Sequence, residues 1–500
     1  MMDTDTEQKA DLSEKCWYDP AAGKYYHENS LGRWVPKPAT PFMRWLKSQG
    51  LSSSLSKKEL GSGVVLSEID ALMTHIETER LLDYVGGIAG WKTGPARYNN
   101  DQLLITHELD LLSPEPPKGD LPKGWDKEAI GCPVMGAYLE GIFRGNDVDP
   151  ETGEFIPVNQ LDRVLTYMWH FLKSLYAGTY SNGLAMGIAG EPGAGKTLFA
   201  DLLQYMAGRV VARPYRYMTG QDAFNQEMLE AAVLLVDDEN SDTSIKSRMH
   251  FGGEIKQIVA THGVRIRAMQ KKAVVLAPIQ RLLILVNLEP ERLQVLPPLD
   301  NDIIDKFLIL KGYSKPMPMP SETPEEKKVF WDTMAAEVPK FLWWILNVFD
   351  PPKSELGRFG AKAWTHPEIS EALGMLNAER KTFDQIEQCL ATCKKDWTTA
   401  EDFEVIPKRL RDKALEMNRA ADGIAFVGTC EELMRWMRSD GENAPLSMLE
   451  RQSVRKDSVY LGRDLTALSR QYPHRFMAAR TRTKRFWVIT AEPKPQNVTV

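Results

Sequence analysis

The stretch GIAGEPGAGKTLFADLLQYMAG, residues 187–208, decides the fold of the central part of the chain. An apolar segment, Leu184 to Ala189, leads into a glycine-rich turn, and an amphipathic segment follows that ends at Gly208. This order predicts a strand, a loop and a helix. The turn fits the pattern G-x-x-x-x-G-K-[ST] of phosphate-binding loops at four positions: Gly190, Gly195, Lys196 and Thr197.

The residue types in this turn suit a polyphosphate. Glycines let backbone N–H groups close around a β-phosphate, and the N-terminus of the following helix adds partial positive charge. The lysine reaches the β- and γ-phosphates, and the threonine hydroxyl ligates Mg²⁺. The sequence therefore predicts a site for ATP and Mg²⁺ that comprises Gly190, Glu191, Pro192, Gly193, Ala194, Gly195, Lys196 and Thr197.

Three acidic residues follow a second apolar strand about forty residues downstream of the loop. The strand, Ala231 to Val236, leads directly into Asp237, Asp238 and Glu239. One carboxylate at such a strand end can hold the Mg²⁺ hydration shell, and its neighbour can polarise the water that attacks the γ-phosphate. We predict Asp237 as the metal residue and Asp238 as the general base, with Glu239 as the alternative base.

A basic segment and a polar strand end complete the predicted site. VRIRAM alternates in strand period, QKK breaks the alternation and AVVLA resumes it, which predicts a β-hairpin with Lys271 and Lys272 near its tip. Between Lys246 and Lys272 there are seven Lys/Arg and one acidic residue. The next apolar strand, RLLILVN, ends in Asn287, whose amide can orient the lytic water and sense the γ-phosphate.

The alternation of apolar strands with helices across the central block predicts an α/β fold with a parallel sheet covered on both faces. Near the C-terminus, helices at 429–439 and 460–471 precede two strands joined by a basic turn, the outline of a winged helix. The predicted domains are a hairpin and helix region (1–60), a helical collar region (61–180), an ATPase core (181–315), a helical linker region (316–419), a winged-helix-like domain (420–490) and a tail (491–500).

Positive charge is concentrated near the C-terminus, although the 500-residue chain carries a net charge of −6. Residues 451–490 hold ten Lys/Arg and two acidic residues. A basic domain on an acidic chain favours a polyanionic partner. The hairpin residues that we expect to contact DNA are Arg480, Arg482, Lys484 and Arg485.

Several other classes of protein and site are disfavoured. The five cysteines are scattered, without the spacing of a zinc site, and they indicate a reduced, cytoplasmic protein. The polar N-terminus is unlike a signal peptide, and the apolar stretches are too short to cross a bilayer. GNDVDPETGE (145–154) contains Asp147 and Asp149 without a preceding apolar strand, so we predict a solvated turn and no primase site.

Four motifs in this order, GEPGAGKT, LLVDDE, IKQIV followed eight residues later by AMQKK, and LLILVN, resemble the superfamily 3 helicases. These are AAA+ motors of virus, phage and plasmid replication, and the chain looks most like the helicase half of phage primase–helicase and primase–polymerase proteins. The motif match covers about residues 185–310. The aromatic segment WYDPAAGKYYHENSLGRWV (17–35) and the basic C-terminus are similar to the segments that flank that half.

The resemblance implies a hexameric ring that translocates on single-stranded DNA. Lys271 and Lys272 of each subunit would line the central pore and bind the DNA backbone. It implies a winged-helix cap on duplex or origin DNA and leaves open a separate primase or polymerase partner. Each ATP site would be completed by a cation of the neighbouring subunit. Relatives have paired arginines before a Phe, whereas this chain has Asp305 and Lys306, so Lys306 is the direct candidate and Arg292 the substitute. A non-helicase AAA+ switch, such as a loader or defence NTPase, is the alternative.

Overall fold

The chain divides into two compact units, Met1–Ile369 and Ser370–Val500, in a computed structural model. The structure describes residues 12–54, 66–149, 152–223, 225, 227–237, 245–261, 263–266, 274–276, 279–297, 299, 302–392, 408, 411–412, 415–416, 425–439, 445–455, 457–480 and 485–491. Within these residues, no helix combines the length and the apolar composition needed to span a bilayer.

The first unit is built around a parallel sheet of six strands. They are β9 (Ala185–Gly190), β10 (Val211–Ala212), β11 (Val233–Asp237), β14 (Arg281–Val286), β15 (Phe307–Gly312) and β18 (Trp364–Thr365). Their order in the sheet is β10-β11-β14-β9-β15-β18. The central strands are buried apolar runs, as expected for strands covered on both faces. The predicted parallel α/β core is therefore confirmed.

Small sheets surround this core. The antiparallel pair β12 (Val264–Ile266) and β13 (Val274–Leu276) confirms the predicted hairpin between the second and third core strands. Other strands lie in three-stranded and two-stranded sheets: β1 (Cys16–Asp19), β2 (Lys24–Glu28), β3 (Trp34–Lys37), β4 (Tyr84–Gly86), β5 (Gly94–Tyr98), β6 (Asp101–Ile105), β7 (Arg144–Val148), β8 (Phe155–Asn159), β16 (Leu356–Gly357) and β17 (Gly360–Ala361).

The first unit also contains helices, several of which contact the strands. They are α1 (Ala39–Ser48), α2 (Glu68–Glu79), α3 (Lys127–Ile130), α4 (Pro133–Phe143), α5 (Leu161–Ala177), α6 (Lys196–Met206), α7 (Tyr215–Met218), α8 (Glu227–Glu230), α9 (Ile245–Ala260), α10 (Pro290–Leu293) and α11 (Pro324–Asn347), with a 3₁₀ turn at Ile304–Lys306 and another at Lys353–Glu355. A further helix, α12 (Pro367–Thr392), begins in this unit and continues into the second.

Two regions differ from the sequence prediction. The region 61–180, predicted to be helical, also contains β4–β8, because short strands such as GPARY and RGNDV carry no regular apolar alternation to identify them. The sixth core strand, β18, comes from 316–419, another region for which the sequence predicts helices. It is two residues long, too short for a sequence pattern to reveal.

The second unit contains a three-stranded antiparallel sheet and several helices. Their bounds are β19 (Ala425–Gly428), α13 (Cys430–Met437), α14 (Met448–Ser453), α15 (Ser458–Gln471), β20 (Phe476–Arg480) and β21 (Arg485–Thr490), and the strand order is β19-β21-β20. The predicted helices and the two final strands are therefore present. Their packing buries an apolar core around Trp487, Leu461 and Leu465.

The buried side chain of Gln160 makes hydrogen bonds to β15 of the kind that a neighbouring strand makes. β18 pairs only with Leu308 and Ile309 of β15. At Lys311, farther along β15, the Gln160 amide donates to the backbone carbonyl at 2.8 Å and its Oε1 accepts from the backbone N–H at 3.0 Å. We expect Gln160→Ala to lower the free energy of unfolding by about 1–3 kcal/mol, because the partly buried N–H and C=O of Lys311 lose both of these hydrogen bonds. Urea denaturation of the full chain measures this. The exposed-site control Gln49→Ala should change it by less than about 0.5 kcal/mol, and equal effects would contradict the assignment.

Candidate functional site

The glycine-rich loop follows the central strand β9, which lies between β14 and β15. The last residue of β9, Gly190, pairs with Gly312 of β15. A Cβ added at Gly190 would lie 2.5 Å from the Gly312 carbonyl oxygen, closer than any side chain allows. Glycine is therefore required here by the packing of two strands, in addition to any ligand.

The loop ends at Gly195, whose φ of +87° places it in the left-handed region directly before α6. The Tyr138 hydroxyl, on helix α4, donates a hydrogen bond to the Gly195 carbonyl at 2.8 Å. Burial raises the pKa of Tyr138 well above its usual value, so this hydroxyl stays protonated as a donor. Tyr138 thus fixes the Gly195 carbonyl at the end of the loop, a role that the sequence did not indicate.

The Lys196 ammonium connects the loop to the neighbouring strand end. It donates to the Gly190 carbonyl at 2.8 Å, to the Glu191 carbonyl at 2.9 Å and to Asn287 Oδ1 at 2.8 Å. Lys196 is buried, with 8% of its surface exposed. The structure therefore brings together the predicted phosphate lysine and the predicted sensor amide at the carboxyl end of the sheet.

The acidic strand end lies next to them. Asp237 ends β11 and is in register with Leu285 of β14, the strand that leads to Asn287. Asp237 is half-buried, and Thr197 is exposed at the start of α6. The predicted bases Asp238 and Glu239 lie outside the described residues.

The residues present fit ATP and Mg²⁺. The loop has the backbone shape of a phosphate cradle, since Gly193 and Gly195 both have positive φ, and Glu191, Pro192 and Gly193 are exposed. Ala194 is buried beneath them. Lys196 would hold the phosphates, and Thr197 with Asp237 would hold the metal, which neutralises charge on the β- and γ-phosphates when bound.

Lys306 and Arg292, the two candidates for the cation that a subunit contributes to the ATP site of its neighbour, differ in their surroundings. Lys306 ion-pairs with its neighbour Asp305 and lies 5.9 Å from the centroid of the Phe359 ring, and only 13% of its side chain is exposed. Arg292, on helix α10, is exposed. The described geometry therefore leaves Arg292 more accessible to another subunit than Lys306.

The candidate DNA-contacting residues are partly described. Arg480 and Arg485 are exposed and face each other in the register of β20 and β21. Two like charges directly opposite on a hairpin repel each other, so an anion between them is favourable. The other predicted DNA-contacting residues lie outside the described part of the chain: Arg482, Lys484, Lys271 and Lys272.

Asp147 does not lie in a solvated turn, contrary to the prediction for 145–154. It belongs to β7, and its carboxylate bonds the Tyr313 hydroxyl at 2.9 Å and the Lys311 ammonium at 3.1 Å. Its second oxygen lies 2.8 Å from Nε2 of the buried His366. Lys311 also pairs with Glu368. The ammonium between the two carboxylates makes this an ion-pair network that anchors β7 to β15.

Comparison with known proteins gives one family. A model described as a family of unknown function (DUF5906) matches residues 188–301, from β9 to just before β15. This segment is less than half of the chain and contains the loop, the acidic strand and the β12–β13 hairpin. No curated protein matches the chain.

Three solved structures illustrate what the chain is similar to. The apo structure of the NrS-1 C-terminal region is 11% identical over 97% of this chain and 98% of that chain, with a TM-score of 0.46. The active helicase SCCmec type IV Cch is 13% identical over 94% and 80%, with a TM-score of 0.28. The JCV helicase is 10% identical over 52% and 66%, with a TM-score of 0.26. Similarity this weak carries no argument about function.

Removing the Tyr138 hydroxyl tests its hold on the loop. We expect Tyr138→Phe to weaken ATP binding about 2–10-fold, because it removes one hydrogen bond that fixes the Gly195 carbonyl. Titration with a fluorescent ATP analogue measures this. Tyr167→Phe is the matched control, because the Tyr167 hydroxyl is buried and has no hydrogen-bond partner within the described part of the chain. Unchanged affinity in Tyr138→Phe, or an equal loss in both variants, would contradict the role.

Proposed function

We propose that the chain is an ATP-dependent DNA helicase of the superfamily 3 type, an AAA+ motor that forms a ring and moves along single-stranded DNA. One observation carries the proposal: the Lys196 ammonium and the Asn287 amide are hydrogen-bonded to each other at 2.8 Å. The ammonium donates to three protein acceptors, so a nucleotide phosphate that binds Lys196 replaces at least one of them, and we propose that it replaces Asn287. Binding and hydrolysis of the nucleotide would therefore change the contacts of Asn287 at the end of β14, the strand that directly follows the β12–β13 hairpin.

The remaining chemistry is supplied by the chain's own residues. Asp237 would help to hold the metal, Asp238 or Glu239 takes the proton of the attacking water, and Asn287 orients that water. A neighbouring subunit contributes a cation, for which Arg292 is favoured over Lys306 because Arg292 is exposed, whereas only 13% of the Lys306 side chain is exposed. Arg480 and Arg485, with Arg482 and Lys484, contact duplex or origin DNA through its phosphates.

Loss of the Lys196 ammonium should abolish hydrolysis. We expect the wild type to hydrolyse ATP faster when single-stranded DNA is added, and Lys196→Ala to reduce hydrolysis by about 10²-fold or more with or without DNA. Phosphate release measures both rates. Lys328→Ala is the control, because that lysine is exposed and pairs locally with Asp332 on α11. Wild-type hydrolysis in Lys196→Ala would refute the site.

The hairpin lysines should couple hydrolysis to movement. We expect the double variant Lys271→Ala, Lys272→Ala to keep hydrolysis without DNA near the wild-type rate and to lose both DNA stimulation and unwinding of a forked duplex. Adjacent ammonium groups grip a phosphate backbone without reading bases and release it easily, which suits a moving strand.

Unwinding distinguishes the motor from a non-helicase AAA+ switch. If the double variant unwound the fork at the wild-type rate, the coupling role of the two lysines would fail. If the wild type hydrolysed ATP but never unwound DNA, the switch function would replace the helicase.

A further inference from the structure

An exposed aromatic side chain on the second unit has two guanidinium groups close to its ring. Tyr460, near the start of α15, has 51% of its surface exposed. The Cζ atoms of Arg463 and Arg455 lie 5.4 Å and 5.8 Å from its ring centroid. We call these three side chains the Tyr460 platform. None of them belongs to the β20–β21 hairpin that supplies the predicted DNA contacts.

The platform is held in place by buried groups. Asp464, 5% exposed, accepts hydrogen bonds from Arg455 Nε at 3.0 Å and Nη2 at 3.4 Å, and the Thr382 hydroxyl donates to the same carboxylate at 2.8 Å. Arg438 donates to the Val454 carbonyl at 3.2 Å and to the Arg455 carbonyl, which fixes the backbone below. A guanidinium held in this way loses little conformational freedom when a ligand binds.

The chemistry of the platform selects a ligand that has a flat π face and a nearby anion. The ring offers a stacking surface, and Arg463 offers positive charge. Arg455, whose charge is balanced by Asp464, offers a fixed planar group beside the ring. The neighbouring carboxylate of Asp457 caps the N-terminus of α15, where it accepts from the Val459 N–H at 2.8 Å, and the partial positive charge of that helix end offsets part of its negative charge. An unpaired nucleotide meets both requirements. Stacked base pairs in a duplex cover their base faces and do not.

We infer that the Tyr460 platform binds single-stranded nucleic acid, with one base stacked on Tyr460 and a phosphate beside Arg463. This goes beyond the proposed motor function, because it requires no nucleotide hydrolysis and lies outside the unit that contains the glycine-rich loop. Stacking of a base on an aromatic side chain tolerates any sequence. The platform would therefore hold a separated strand without selecting it by sequence.

The test measures binding of single-stranded oligonucleotides of DNA and of RNA to the full chain without ATP, by fluorescence anisotropy. The background is Lys271→Ala, Lys272→Ala, which removes the other predicted single-strand surface. We expect Tyr460→Ala to weaken binding about tenfold, as removal of one stacked base does, and Tyr460→Phe to keep most of the affinity. Val459→Ala, at the neighbouring exposed residue, is the matched control and should bind like the background chain.

Salt dependence separates stacking from charge. Tyr460→Ala should leave the slope of affinity against salt unchanged, whereas Arg463→Ala should reduce it by about 0.7 for each phosphate that the chain no longer neutralises. Three outcomes would each overturn the inference. Tyr460→Phe and Tyr460→Ala could lose affinity equally, neither could lose affinity, or Tyr460→Ala could weaken binding of a blunt duplex as much as binding of a single strand. Because these measurements contain no ATP, their outcome is independent of whether Lys196→Ala impairs hydrolysis.

Discussion

The close pairing of β9 with β15 is the constraint on which the candidate site depends. With the Gly312 carbonyl 2.5 Å from where a Gly190 Cβ would lie, the two strands can approach only because residue 190 carries no side chain. The loop therefore leaves the sheet at a fixed point, beside the end of β14. Lys196 can then bond the Gly190 carbonyl and Asn287 at once.

Side chains from distant segments hold the outer side of the loop. Tyr138 reaches Gly195 across 57 residues of sequence, and its helix is positioned in turn by Glu337 of α11. The Glu337 carboxylate accepts hydrogen bonds from the N–H groups of Val134 and Met135, at 3.2 and 2.7 Å, at the first turn of α4. Carboxylates at helix N-termini are stabilised by the helix dipole and by these donors. The loop is thus fixed from α11 through α4.

Sequence patterns were sufficient where one local signal determines both structure and chemistry. The apolar runs before Gly190, Asp237 and Asn287 predicted three strands of a parallel sheet, and the structure shows that they are neighbours in the order β11-β14-β9. Tyr138 and Asp147 could not be found in this way, because their roles come from partners far along the chain. Asp147 sits among Gly, Asn and Pro residues typical of a turn, yet its bonds to Tyr313 and Lys311 make it part of a strand.

Charge counting shows the same limit in the second unit. The ten Lys/Arg of 451–490 predicted a polyanion-binding surface, but Arg475 is only 3% exposed, and its guanidinium bonds the Thr490 carbonyl and Glu387. Arg451 likewise bonds the Ser439 carbonyl. These groups stabilise the fold, so the positive potential available to a ligand comes from fewer residues than the count implies. If the Tyr460 platform binds as inferred above, the placement of Arg463 beside an exposed ring, and not the number of basic residues, selects an unpaired strand over a duplex.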